Sequence, residues 1–317
     1  MIRKKRADFN FVWIFAIIAG VAILFLALYG AIKGIEVKTA EQGAEAAKEI
    51  SILTDPMQAG FAQASYGQIS FTQDAIINNK CYNEDGFGKN DISVMISSGI
   101  GKKWGEITPA TSVHNKYIFS SNNSGKVFHV FSKSFEFPFK VSDIIFVTSN
   151  NYCFIDPPSY IADEIEGLKI KNIHVGSIEN CSEKDTRVCF APGFACDMVV
   201  YGNCVGCKNI FEEGYVIKNN SQASYVGALM YGAIFSDFSD YNCNVQRLLF
   251  RAGKIADLYS KKIDILRTRG IDSNIQPDLN SFSSVAMNAS EKDLVQLSEM
   301  AKQLDKNKEK ESRIDLW

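Results

Sequence analysis

The sequence predicts an α/β (or α+β) fold, in which an N-terminal transmembrane helix and stalk precede a mixed-sheet ectodomain with packed helices. Three observations predict it. An uncharged apolar run, FNFVWIFAIIAGVAILFLALYGAI, lies near the N-terminus. Short β-branched or aromatic stretches bounded by Gly, Asn, Ser or Pro fill the middle of the chain. Helical amphipathic periodicity takes over after Lys218.

Residues 1–8 form a basic tail and residues 9–32 the apolar run, in which Asn10 is the one strongly polar residue. A bilayer core about 30 Å thick needs roughly 20 apolar residues, so this run spans it with some tilt. Trp13 and Tyr29 lie near its opposite ends, where amphipathic rings favour the headgroup level. Arg3, Lys4, Lys5 and Arg6 crowd one flank, against Asp8 alone. The other flank mixes Lys33, Lys38 and Lys48 with Glu36, Glu41, Glu45 and Glu49. Basic residues stay on the cytoplasmic side, so the tail is expected inside and residues 33–317 outside. A cleaved signal peptide would have an apolar region of about 7–15 residues ending in a small-residue site. Ala27-Leu28-Tyr29 spoils the only near match, and the anchor is expected to be retained.

Residues 33–66 read as a helical stalk, with apolar positions at Ile35, Ala40, Ala44, Ala47 and Ile50. Thr54-Asp55-Pro56 reads as a stop followed by a short new helix. Residues 67–270 are the expected ectodomain. Strands are predicted at 68–72, 91–96, 116–120, 126–132, 142–148, 152–156, 172–176, 187–190, 198–201 and 215–218. Residues 157–168 read as a helix with Ile161, Ile165 and Leu168 on one face, which makes a strand–helix–strand unit of 152–176. Residues 223–235 read as a buried helix too short to span a bilayer. The clearest amphipathic helix is 244–269, with Gly270 as its C-cap. Residues 271–289 read as a polar connector. Ser290 and Asp293 match a capping box for a charged C-terminal helix whose Leu294, Leu297, Ala301 and Leu304 are spaced to dock.

The chain has eight cysteines, Cys81, Cys153, Cys181, Cys189, Cys196, Cys204, Cys207 and Cys243, all after the apolar run. On an oxidising side they form up to four disulfides, in one of about 105 connectivities. The rival reading takes Cys189, Cys196, Cys204 and Cys207 as a C-x6-C-x7-C-x2-C zinc array. Its irregular spacing favours disulfides. A redox-active Cys204–Cys207 pair would need a helix start or a nearby cation to lower a thiol pKa, and Val205-Gly206 leads into no clear helix. Asn122, Asn180, Asn219 and Asn288 open N-x-[ST] triplets compatible with glycosylation of surface loops.

No signature names a reaction. There is no H-E-x-x-H and no G-x-S-x-G, and His114, His129 and His174 each lie alone at or on predicted strands. The Gly86-Phe87-Gly88-Lys89 and Gly99-Ile100-Gly101-Lys102 clusters lack a full phosphate loop. Asp156 closes a strand just before a helix, where α/β sites often place a functional group, and it can equally cap that helix with Ser159. Helix 244–269 carries Arg247, Arg251, Lys254, Lys261, Lys262, Arg267 and Arg269 against Asp257 and Asp264, a basic face able to meet an anionic partner or glycan but expected to be solvated and paired with acidic neighbours. The formal net charge of −2 gives no pointer to nucleic acid.

At the N-terminus, RKKRADFNFVWIFAIIAG resembles the start of archaeal type IV pilin-like proteins, in which a basic segment and a cleavage site precede the apolar helix. The resemblance implies processing between Ala7 and Asp8. The chain departs from the family pattern at Val12, where pilins usually carry Glu. The whole chain also resembles membrane-anchored ectodomain proteins of small-genome archaea, which implies an archaeal source and no particular activity.

The leading expectation is therefore a non-enzymatic, single-pass envelope protein presenting a disulfide-stabilised extracytoplasmic domain for binding or surface organisation. Its expected partners are the lipid bilayer and an envelope protein or glycan, without nucleic acid, cofactor or metal. The alternatives are a pilin-like or filament-associated subunit, and an exported hydrolase or transferase with its site near Asp156.

Overall fold

From Phe11 in the apolar run to Leu53 in the expected stalk the chain forms one unbroken helix, α1 (Phe11–Leu53). A computed structural model describes residues 11–54, 66–97, 104–105, 107–121, 124–191, 196–271, 273–310 and 317. At about 1.5 Å per residue, the 43 residues of α1 extend roughly 64 Å. Val12–Gly34 is long and apolar enough to cross a membrane, and none of it is buried inside the protein. The C-terminal end of α1 behaves differently. Gly43, Ala47, Ile50 and Thr54 are buried, on the one face that spacings of three and four residues create. The expected stalk is thus docked along its last turns. The short helix expected after Asp55-Pro56 lies outside the described residues.

Two mixed sheets follow. The first contains β1 (Tyr66–Tyr82), β2 (Lys89–Ile96), β3 (Thr111–His114), β4 (Tyr117–Ser120), β5 (Ser124–Glu136) and β6 (Lys140–Thr148). Its order is β3-β2-β1-β5-β6-β4, antiparallel except for the parallel pairing of β4 with β6. The second contains β7 (Tyr152–Ile155), β8 (Ile173–Gly176), β9 (Thr186–Cys189), β10 (Met198–Gly202), β11 (Glu213–Lys218) and β12 (Ser221–Val226). Its order is β12-β11-β10-β9-β7-β8, parallel from β8 to β10 and antiparallel beyond. The strand–helix–strand unit is present, with α2 (Ser159–Leu168) crossing from β7 to its parallel neighbour β8. Helices α3 (Leu229–Phe235), α4 (Phe238–Arg267), α5 (Gln276–Ala286) and α6 (Leu294–Lys310) complete the fold. This is a mixed α/β architecture behind an N-terminal apolar helix.

Strand alternation sorts the apolar residues into inner and outer faces. Tyr117 and Phe119 of β4 join the main core, and Ile118 points the other way. Tyr152 and Phe154 of β7 do the same, opposite Cys153 and Ile155. The inner faces of both sheets meet at α3, whose seven residues are all buried. Phe235 packs edge-on to Phe131 at 5.6 Å and to Tyr152 at 4.8 Å, which joins the sheets through one ring. The outer face of the first sheet, with Ile77, Ile92, Val94, Phe128 and Val130, is covered by Ala47 and Ile50 of α1. A Cβ on Gly43 would lie 2.6 Å from the Val94 carbonyl oxygen, so the close approach of α1 to β2 requires glycine.

Several expectations need correction. Residues 223–226 belong to β12 and not to a helix. Asn219 and Asn220 both have positive φ, 51° and 58°, and form the two-residue turn of a β11–β12 hairpin. Residues 75–82 continue β1 although Asn78-Asn79 resembles a turn, because Asn79 is buried and donates to the Ile118 carbonyl at 2.8 Å. The polar connector contains α5, with Pro277 in its first turn and Leu279, Phe282 and Ala286 buried. Helix α2 has Pro158 at its N-cap and no side-chain cap bond, so neither Asp156 nor Ser159 caps it. The capping box at Ser290 is formed, Asp293 Oδ2 accepting from the Ser290 backbone at 2.8 Å, and Leu294, Leu297, Ala301 and Leu304 of α6 are buried.

Candidate functional site: the cystines, a buried arginine and a polar groove

All eight cysteines are paired. Cys81–Cys243 ties β1 to α4 across 162 residues, and Cys153–Cys181 closes a loop of 28. Cys189–Cys196 and Cys204–Cys207 close separations of 7 and 3. Cys153, Cys181 and Cys189 are buried with Ile155 against the outer face of the second sheet, and Cys196 packs beside them. Cys189 and Cys196 bond each other, as do Cys204 and Cys207, so the four sulfurs do not gather as one tetrahedral array. Among the described residues, Cys204, Cys207 and Glu213 are the one group of three or more His, Cys, Asp or Glu whose ligand atoms all lie within 4.8 Å of one another. With the two sulfurs joined, this is a cystine beside a carboxylate and not a pair of metal-binding thiolates.

The basic helix face is not uniform. Arg247 is fully buried within α4. Its Nε donates to the Phe87 carbonyl at 2.7 Å, Nη1 to Asn90 Oδ1 at 2.5 Å and Asn244 Oδ1 at 2.9 Å, and Nη2 to the Lys116 carbonyl at 3.1 Å. The guanidinium also stacks over Tyr117 at 4.8 Å. Burial pushes its pKa down to about 10, opposed by Tyr117, so it stays cationic at neutral pH. Periodicity placed Arg247 with the polar residues because a helix-wide pattern cannot reveal a local ring of amide and carbonyl acceptors. Arg251 donates to the Val141 carbonyl at 2.8 Å, whereas Lys261 and Arg267 form exposed pairs with Asp257 and Asp264.

Lys116 links this hub to α1. Its Nζ donates to Thr54 Oγ1 at 3.0 Å and to the Ser51 carbonyl, placing a cation at the helix C-terminus where the dipole favours one. The Arg247 contact with the Lys116 carbonyl then connects α1 to α4 through two residues. Sequence reading gave Lys116 no role, since nothing local marks a cap supplied from a distant helix.

An open groove of about 600 Å³ lies beside this hub, between β1, β2 and the start of α4. Asn78, Lys80, Asp91, Ser93, Asp237 and Asp240 are among its lining groups. Asp91 accepts from Ser112 Oγ at 2.6 Å. Burial holds Asp240 above the ordinary carboxyl pKa, partly offset by the backbone N–H of Cys81.

The remaining sequence candidates lie apart. Asp156 is exposed just past β7, with φ of 48°. His129 Nδ1 and Tyr66 Oη lie 2.6 Å apart, and burial lowers the His129 pKa with help from Lys171. His174 Nε2 lies 3.3 Å from Asp185. Asn180, Asn219 and Asn288 are exposed in turns, while Asn122 lies outside the described residues. Ala7 and Asp8 also lie outside them, and Val12 is 72% exposed on α1. Compared with known proteins, the chain matches no family model, no curated protein and no solved structure.

Proposed function

We propose that this chain is a single-pass membrane protein whose basic tail is cytoplasmic and whose cystine-braced domain faces outward for binding or surface organisation. The carrying observation is the two-part character of α1. Val12–Gly34 is apolar and wholly uncovered by protein, and the same helix then buries Ala47 and Ile50 against the first sheet. A bare apolar helix this long requires lipid or another apolar surface. The rise from Gly34 to Gly43 is about 14 Å, so the domain would stand close to the bilayer. Four disulfides fit an oxidising exterior. The groove beside Asp91, with its amide, hydroxyl and carboxylate groups, is where an envelope protein or glycan would be read. Protease treatment of intact cells tests the placement. Outward orientation predicts digestion of the domain before lysis, with an N-terminal fragment protected; protection of the whole chain until lysis rejects it.

One observation favours a second reading, a pilin-like or filament-associated subunit. Helix α1 passes without interruption from the apolar run onto a sheet, as a subunit anchored in a filament by its N-terminal helix would require. Mass spectrometry of the native N-terminus separates the readings. A mature start at Asp8 supports the second, and an intact Met1 or Ile2 start removes it.

A further inference from the structure

The sequence condition for a redox pair at Cys204–Cys207 was a nearby cation, and the fold provides one from a distant helix. Lys302 of α6 places Nζ 3.5 Å from Cys204 Sγ. The same ammonium lies 2.8 Å from Glu213 Oε1 and 3.1 Å from Glu299 Oε1. Burial works against the Lys302 charge, but these two carboxylates hold its pKa above the ordinary lysine value. Glu213 is buried and also accepts from Ser298 Oγ, so the carboxylate that positions Lys302 is itself fixed. Access is asymmetric. Cys204 is buried and Cys207 is half-buried, and between them Val205 is 90% exposed. Gly206 turns the loop at φ of 79°, with open space where a side chain would be. Ile210, 57% exposed, adds apolar surface nearby.

We propose that Cys204–Cys207 is a thiol–disulfide exchange site that accepts electrons from a dithiol of another exported protein. The partner thiolate attacks Cys207 Sγ and the Cys204–Cys207 bond breaks. Its electron pair passes to Cys204 Sγ, which leaves as a thiolate beside the Lys302 ammonium. The second partner thiol, after losing its proton, attacks the partner's sulfur in the mixed disulfide, and Cys207 departs as a thiolate. Two electrons move from the partner dithiol to the cysteine pair, and the partner is left with a disulfide; of its two protons, one returns through solvent to the Cys207 thiolate and the other stays in solvent while Cys204 remains a thiolate. Lys302 is a positioning residue that stabilises the leaving thiolate. Glu213 holds Lys302 in place but adds an opposing charge. The other cystines differ. Cys153–Cys181 and Cys189–Cys196 lie in a buried cluster, and Cys81–Cys243 closes a separation of 162 against 3 here, so opening Cys204–Cys207 releases the least chain.

The test is titration of the purified full chain in detergent with dithiothreitol, followed by alkylation and peptide mapping. Cys204–Cys207 is expected to open at least about tenfold faster than any other pair. Lys302→Met should slow that opening about tenfold and lower the thiolate ultraviolet absorbance of the reduced pair at neutral pH, with Lys302→Arg retaining both. Glu213→Gln should raise the thiolate signal. A merely structural role for Lys302 would leave the thiolate signal of the reduced pair unchanged in Lys302→Met. Earlier opening of another pair, or a thiolate signal indifferent to Lys302→Met, overturns the proposal. So does stoichiometric zinc held by the reduced pair. If Lys302→Met fails to fold, the order of opening in the unmodified chain and the behaviour of Lys302→Arg still decide.

Discussion

The two sheets each have an outer face to cover, and the protein covers them by different means. On the first sheet, Ala47 and Ile50 of a helix lie over Ile77, Val94 and Phe128. On the second, Cys153, Cys181 and Cys189 form a small sulfur-lined cluster with Ile155. A helix excludes water from a sheet by apolar area, and its contribution vanishes if the helix is removed. A cystine cluster covers little area and acts largely by constraining the unfolded chain, so its contribution vanishes on reduction. One side of the domain is therefore tied to the N-terminal helix and the other to the redox state of its surroundings.

Removing the helix cover should have the largest effect. A chain beginning at Val37 keeps the docked end of α1, and one beginning at Tyr66 uncovers apolar side chains of the outer face around β2, such as Ile92 and Val94, each contributing about 1.5–3 kcal/mol when buried. Gel filtration and thermal melting should show a folded monomer for the first and aggregation for the second. Equal melting temperatures would mean that α1 does not stabilise the sheet.

The disulfides come next. By loop-closure entropy, bridges closing 162, 28 and 7 residues contribute about 5, 4 and 2 kcal/mol. Paired Cys→Ala changes at Cys81/Cys243, Cys153/Cys181 and Cys189/Cys196 should lower stability in that order in urea melts. Hydrogen exchange should show the Cys153/Cys181 loss concentrated in β7 to β9, leaving β2 protected.

Gly43→Ala probes the helix contact with a single carbon. Its Cβ would meet backbone at 2.6 Å, so a loss of about 1–3 kcal/mol is expected, with raised exchange in β2 and none in β9. The smallest effect lies at the α6 cap. Hydrogen bonds from the Ser290 backbone and side chain hold the Asp293 pKa below its ordinary 3.8, slightly opposed by burial. A depressed folded pKa gives stability that is present above the unfolded value and lost as pH falls through the folded one. Circular dichroism should show α6 loosening below about pH 4, and Asp293→Asn should flatten that acid limb.

Legibility in the sequence followed how local each cause was. The apolar run, the crossover from β7 to β8 and the Ser290–Asp293 cap depend on neighbours within a few residues, and all three were readable. The β11–β12 hairpin is masked because apolar Ala223–Val226 runs into apolar α3; Asn219-Asn220 marks the turn before β12, and Gly227, at φ of 52°, is what separates β12 from α3. Helix α5 was hidden by polar residues between Leu279 and Phe282. Arg247, Lys116 and Lys302 were unreadable for a different reason. Each has its meaning from a partner far along the chain, at Asn90, Thr54 and Cys204 respectively.

The proposed outward placement puts the domain in an oxidising exterior, where its four cystines form. Its most direct test is to block free thiols in intact cells with an alkylating reagent before lysis, then map the cysteine peptides without reduction. The account predicts Cys81–Cys243, Cys153–Cys181 and Cys189–Cys196 joined in the native protein. Recovery of those six cysteines as alkylated thiols would contradict it.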